Sequence, residues 1–289
     1  ATTGFEQEGG EYGEQKAHRH TFRWYFNAWM TQNALTSYLM DKFGGGTDFY
    51  YITADYTWGR SLEHALQYST ETQGGNTLGG VRTPLGHEDF SQEVRKAAEA
   101  DPDILVLVLT GHDVIQALKQ VNEAGLDEEA QVVVPAFGLD LAHAVGPSIS
   151  GGLIATVNWY WTLADRYQGS REFVQAYRSR YGYPPAMEAA CGWVAVHEWA
   201  SAAERAGSLA SPQVIRSLEG HEFQLLKGKE RWREWDHQAV SSVYIVEGKS
   251  RQDMSGEWDL LRIVEELPGS EMVRTRQENP VMLEPLESE

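Results

Sequence analysis

The sequence predicts an α/β protein with a doubly wound, mainly parallel sheet. Three observations carry that prediction: apolar runs alternate with amphipathic runs through the first half, the run DILVLVL is almost uninterruptedly apolar, and glycine-bearing or acidic turns separate the runs at βαβ spacing. A parallel strand covered by helices on both faces must be apolar at successive positions, and the leucines and valines up to Leu109 meet that need.

The elements follow in order. FYYIT (Phe49 to Thr53) is the first strand, and SLEHALQYSTETQ sets Leu62, Ala65 and Leu66 on one helical face before Gly74 and Gly75 stop it. NTLGGVRTPL holds a short strand. HEDFSQEVRKAAEA opens with acids, which suit a helix N-terminus, and sets Phe90, Val94 and Ala97 on one face. DILVLVL (Asp103 to Leu109) is the central strand, DVIQALKQVNEAGL a helix stopped by Gly125, QVVVPAF a further strand and GGLIATVNWYW the last.

Beyond Asp165 the character changes. SREFVQAYRSRYGYPP reads as a helix with a serine cap, stopped at Pro184 and Pro185, and MEAACGWVAVHEWASAAERAG is apolar on most sides, predicting a buried helix. SPQVIRSLEG is a third, shorter helix. SSVYIVEG and EWDLLRIVEEL alternate like a hairpin or two edge strands, and RTRQENPVMLEPLESE reads as an extended acidic end. The later helices have no sheet of their own to cover, since only roughly the first 45 residues remain to pair with them.

Composition narrows the function classes. The chain has 289 residues, 42% of them hydrophobic, which suffices for proper cores. Its 42 acidic and 24 basic residues give a net charge of −18, without a segregated basic patch, so nucleic acid and anionic membrane surfaces are excluded as partners. No run approaches the roughly 20 apolar residues of a spanning helix, so no stable membrane insertion is expected. ATTGFEQEGG has no leader character, so the chain either stays in the cytoplasm or has lost a leader. The single Cys191 excludes an internal disulfide and multi-cysteine metal sites, and its apolar surroundings favour a buried, inert thiol.

The turn TADYTWGRSL lacks GxGxxG and GxxxxGK[ST], and the chain has no GxSxG, so neither a phosphate cradle nor a nucleophile elbow is supported. It does place Asp55, Tyr56 and Trp58 at the carboxyl end of a parallel strand, where α/β sheets bind ligands. Trp58 is expected to cover a ligand rather than fill the core. In LTGHDVIQ, Thr110 and the Gly111 amide could donate to an anionic group, His112 stands beside them, and Asp113 is the expected helix cap. Asp140 in AFGLDLAH either pairs with a ligand amine or caps a short helix. Glu188 is a lone carboxylate at an apolar helix start, where it either caps the helix or faces a ligand. His112, Asp113, Asp140 and His143 are metal-compatible, but without HExxH or close ligand spacing no metal, cofactor or enzymatic activity is expected.

ITADYTWGRSLEHAL, the long block from GGNTLGGVRTPLGHEDF to NEAGL, PPAMEAACGWVAVHEW and WREWDHQAVSSVYIVEGKS together resemble the periplasmic solute-binding proteins of ABC transporters, of the branched-chain amino acid, urea and amide type. The resemblance covers nearly the whole chain. It implies a type I periplasmic-binding-protein fold, with two Rossmann-like lobes closing over a small-molecule ligand that passes to an ABC transporter permease. It further implies that lobe one is incomplete here, lacking roughly a hundred residues of its first part. Residues 1–22 and 162–232 would form the partial lobe one, 23–161 and 233–266 a complete lobe two, and 267–289 a tail.

Carried across, Thr2 and Thr3 match the lobe-one hydroxyls that hold the ligand. Trp58 matches the covering aromatic, Thr110, Gly111 and His112 match a second ligand turn, Asp140 matches the acid that takes an α-amino group, and Glu188 falls in the MEA block of urea-type members. Trp58 and His112 replace the tyrosines of amino acid binders. The resemblance thus implies an exported, periplasmic or cell-envelope binding protein that is not an enzyme, for an amino acid, urea, amide or small organic acid. A sensory module of the same fold, coupled to a signalling partner, is the alternative.

Overall fold

A computed structural model of the chain describes residues 18–279 and 283–286. The chain divides into two compact units: the first comprises Ala1–Asn27, Asn158–Val243 and Leu267–Glu289, the second Ala28–Val157 and Tyr244–Glu266. Relative to the boundaries expected from sequence, 23–27, 158–161 and 233–243 fall in the first unit, as does the chain from Leu267 onward.

The second unit opens with α1 (Ala28–Phe43). Met30, Ala34, Leu35 and Leu39 are fully buried at helical spacing, but Thr31, Gln32 and Thr36 are buried with them, which blurs the amphipathic signal in sequence. Then follow β1 (Asp48–Ala54), α2 (Thr57–Thr72), β2 (Asn76–Thr83), α3 (Ser91–Ala100), β3 (Ile104–Val108), α4 (Gly111–Glu123), α5 (Leu126–Glu129), β4 (Gln131–Val134), α6 (Leu139–Val145), α7 (Pro147–Ser150) and β5 (Ile154–Val157). The helix faces expected from spacing are the buried ones: Leu62, Ala65 and Leu66 on α2, and Val94 and Ala97 on α3 with Phe90 before it.

The first unit contains a short 3-10 turn (Trp161–Asp165), α8 (Gln168–Tyr181), α9 (Met187–Ala206), α10 (Ser211–Leu218), and the strands β6 (Glu222–Phe223), β7 (Glu230–Trp232) and β8 (Ala239–Val240). These strands pair antiparallel into a small sheet, with Arg23 bridged to Gln238 at its margin. The later helices therefore do have a sheet, though a minimal one. Two expectations are corrected here. Ser170 is not the cap of α8, which starts at Gln168; its fully buried hydroxyl accepts from the Trp159 indole at 2.7 Å and donates to the Leu226 carbonyl. Helix α9 buries one face only, since Val196 is 65% and Trp199 52% exposed while Ala190, Cys191 and Val194 are buried.

The chain returns to the second unit with β9 (Val243–Gly248) and β10 (Leu261–Leu267), and then forms the short α11 (Gly269–Met272). The strand order of the large sheet is β10-β9-β5-β4-β3-β1-β2. Strands β1 to β5 pair in parallel and β9 runs antiparallel to β5, so the expected pair of late strands extends an existing sheet. Every residue of β3 is buried, as a central strand with covered faces requires. Helix α1 is tied to β9 through Glu247, which accepts from Lys42 at 2.7 Å and Tyr38 at 3.0 Å, while Arg262 of β10 donates to its other oxygen at 2.9 Å. Burial pushes that carboxyl up, but the three hydrogen bonds outweigh it and hold it below the usual range.

Candidate functional site

The order β2-β1-β3-β4 places a topological switch point between β1 and β3: the chain leaves β1 toward β2 on one side and returns to β3 on the other. Thr53 pairs with Val108, so Asp55 and Thr110 each stand two residues beyond the same rung, on strands about 4.8 Å apart. Ala54 pairs with Thr83, which brings the turn after β2 to the same edge, and Val106 pairs with Val133, which brings the turn after β4. The turns holding Trp58, Thr110 to His112, and Asp140 thus leave one edge of one sheet.

The first turn is shaped by a close approach. A side chain at Gly59 would place its Cβ 2.0 Å from the Ala54 carbonyl oxygen, so this glycine lets the first turn of α2 pack on the end of β1. That is its role, rather than a phosphate cradle. Asp55 is exposed and takes a hydrogen bond from Arg60 Nε at 2.7 Å, which holds its carboxyl below the usual range. The Tyr56 and Trp58 rings lie 5.9 Å apart at 31°, with Trp58 partly exposed.

In the second turn Thr110 is extended and makes no cap with its side chain, and Gly111 begins α4 at φ 57, a left-handed conformation that favours glycine. His112 is exposed, its Nε2 3.0 Å from Gln116 Nε2, one turn along α4. Asp113 is not the cap expected from sequence. It is buried, and its Oδ2 accepts from the Gly86 amide at 3.0 Å, tying the turn after β2 to α4. Asp140 is exposed in the first turn of α6, where Gly138 holds the cap position and no side-chain cap forms.

The remaining candidates fall elsewhere. Glu188 lies in the first unit, exposed in the first turn of α9, so the burial cost inferred from its apolar neighbours is absent. Thr2 and Thr3 lie outside the described residues. His143 stacks on Trp258 with ring centres 3.9 Å apart, away from the strand ends. Cys191 is buried, which pushes its thiol up to about 12 and keeps it protonated. Among the described residues no group of three or more histidine, cysteine, aspartate or glutamate side chains could hold a metal ion. A cavity of about 300 Å³ bordered by Asp127, Gln131, Ile149 and Leu153 lies at the amino ends of β4 and β5, the opposite edge from the three turns.

Sequence reasoning missed the turn after β2. Leu85 there is 58% exposed beside the β1 turn, and the signal for it was an apolar residue between Pro84 and Gly86 directly after a strand.

Known proteins share this fold. The family described as periplasmic binding protein matches residues 3–253. The chain belongs to the periplasmic binding protein family. Its structure is similar to that of a periplasmic binding protein from Burkholderia mallei, with a TM-score of 0.84 and 27% identity over 91% of this chain and 68% of that one. It is also similar to an amino acid ABC transporter substrate-binding protein from Pseudomonas fluorescens Pf-5, with a TM-score of 0.83 and 23% identity over 87% of this chain and 67% of that one. A solute-binding protein of an ABC transporter from Rhodopseudomonas palustris BisB5, in complex with 3,4-dihydroxybenzoic acid, gives a TM-score of 0.74 at 19% identity over 85% of this chain and 66% of that one. No curated protein matches. The fold is that of type I periplasmic binding proteins. Among the described residues no helix is long and apolar enough to cross a membrane.

Proposed function

We propose that this chain is an extracytoplasmic solute-binding protein that captures a small polar ligand and delivers it to the permease of an ABC importer. The observation that carries the reading is the convergence of the turns after β1, β3 and β4 at the switch point of the sheet, together with family membership. Trp58, with Tyr56 beside it, would cover an apolar or planar part of the ligand. Thr110 and the Gly111 amide would donate to its anionic or carbonyl group, and His112 and Asp140 would meet its remaining polar atoms. Thr2, Thr3 and Glu188 stay in the proposal as further ligand-binding residues on the strength of the resemblance alone. Amino acid and aromatic acid binders both occur among the similar structures, so both classes belong in the test.

The experiment is a thermal-shift screen with L-leucine, urea, acetamide and 3,4-dihydroxybenzoate, followed by calorimetry on any compound that stabilises the protein. Trp58→Ala is expected to weaken binding of the stabilising compound by about tenfold or more, equivalent to about 1.4 kcal/mol. Unchanged affinity would remove Trp58 from the site, and the absence of any shift across all four classes would count against the ligand range proposed.

A further inference from the structure

The chain passes between its two units at four places: Asn27 to Ala28, Val157 to Asn158, Val243 to Tyr244 and Glu266 to Leu267. Residues next to three of these places meet at one buried ammonium group inside the first unit. Lys227 is 1% exposed. Its Nζ donates to the Asn158 carbonyl at 2.7 Å, to the Ser242 carbonyl at 2.8 Å and to the Ser241 hydroxyl at 3.3 Å. It also lies 4.8 Å from the ring centre of Trp24, three residues before the first passage. Glu230 completes the cluster, with Oε1 3.8 Å from the ammonium and accepting from the Trp24 indole at 2.7 Å.

A buried lysine is costly unless its donors are all used, and here they are spent on backbone and hydroxyl oxygens of chain that is about to leave the unit. An apolar side chain would fill the same space at lower desolvation cost, but it could not hold two carbonyls from segments more than 80 residues apart in sequence. We propose that Lys227 is a positioning residue that anchors the crossover segments, fixing the backbone where the second and third passages begin and, through Trp24, the first. The backbone on the first unit's side of these passages is thereby held from within that unit. This inference does not depend on the ligand-binding assignment.

The test is hydrogen–deuterium exchange on the full chain, comparing wild type with Lys227→Met and with the double variant Lys227→Met/Glu230→Gln, which leaves no buried carboxylate without its cation. Exchange in 158–161 and 241–244 is expected to rise at least tenfold in the double variant, while α10 and the β1–β3 core stay within about twofold of wild type. Unchanged exchange in those two segments would overturn the proposal. So would uniform acceleration across the first unit in the double variant, or loss of folding in both variants, since either would make Lys227 an ordinary core element.

Discussion

Glu230 shows how a single buried group sets a pH dependence. It is fully buried, and desolvation is the largest influence on it, raising its carboxyl to about 7 from an ordinary 4.5. Lys227 and the Trp24 indole oppose that rise and Glu198 adds to it. The attraction to Lys227 loses because 3.8 Å is too long for a charge-assisted hydrogen bond and Oε2 has no partner. The folded protein therefore binds this proton more tightly than the unfolded chain. Its stabilising contribution is complete below pH 4.5 and is lost as pH rises toward and through about 7. Glu230→Gln mimics the protonated form, so we expect it to raise the melting temperature at pH 8, to leave it nearly unchanged at pH 4.5, and to flatten the slope between. Thermal melts at both pH values check this, and a variant less stable than wild type at pH 8 would show that Glu230 works as an ion in the fold.

At the scale of elements, α9 departs most from its sequence-level reading. Its composition suits a helix buried all round, yet among the described residues only the face carrying Met187, Ala190, Cys191, Val194 and Glu198 is buried. On that face Glu198 accepts from the Trp232 indole at 2.9 Å, so even its one carboxylate is satisfied. The opposite side presents Gly192, Ala195, Val196 and Trp199 to solvent, a contiguous apolar stripe at i, i+3, i+4, i+7. Such a stripe binds hydrophobic dyes. Replacing Val196 and Trp199 by lysine is expected to reduce the fluorescence of bound anilinonaphthalene sulfonate markedly while leaving the melting temperature within about 2 °C, since surface substitutions of this kind cost little. A large loss of stability would mean that the stripe is covered in the folded protein.

Charge dominates the behaviour of the whole molecule. A net charge of −18 on 289 residues repels itself, and raising salt from about 10 mM to about 1 M shortens the screening length from about 30 Å to about 3 Å. The melting temperature is therefore expected to climb with potassium chloride, measurable by scanning fluorimetry. A flat or falling trend would show that local ion pairs such as Lys249 with Asp259, at 2.7 Å, outweigh the general repulsion.

The alternating apolar and amphipathic runs, the wholly apolar β3 and the glycine stops were enough to specify a doubly wound sheet, because they encode period and burial residue by residue. They also identified the turns of Trp58, Thr110 and Asp140 as strand ends. What only the tertiary structure decided is where separate segments meet: that Asp113 holds the Gly86 amide instead of capping its own helix, that Gly59 packs against the Ala54 carbonyl, that Leu85 joins the site edge, and that Lys227 gathers Asn158 and Ser242. Local pattern fixes which way a side chain faces on its own element. A polar group buried between distant segments is chosen by the partner it finds there, and that partner is set by how the chain returns on itself.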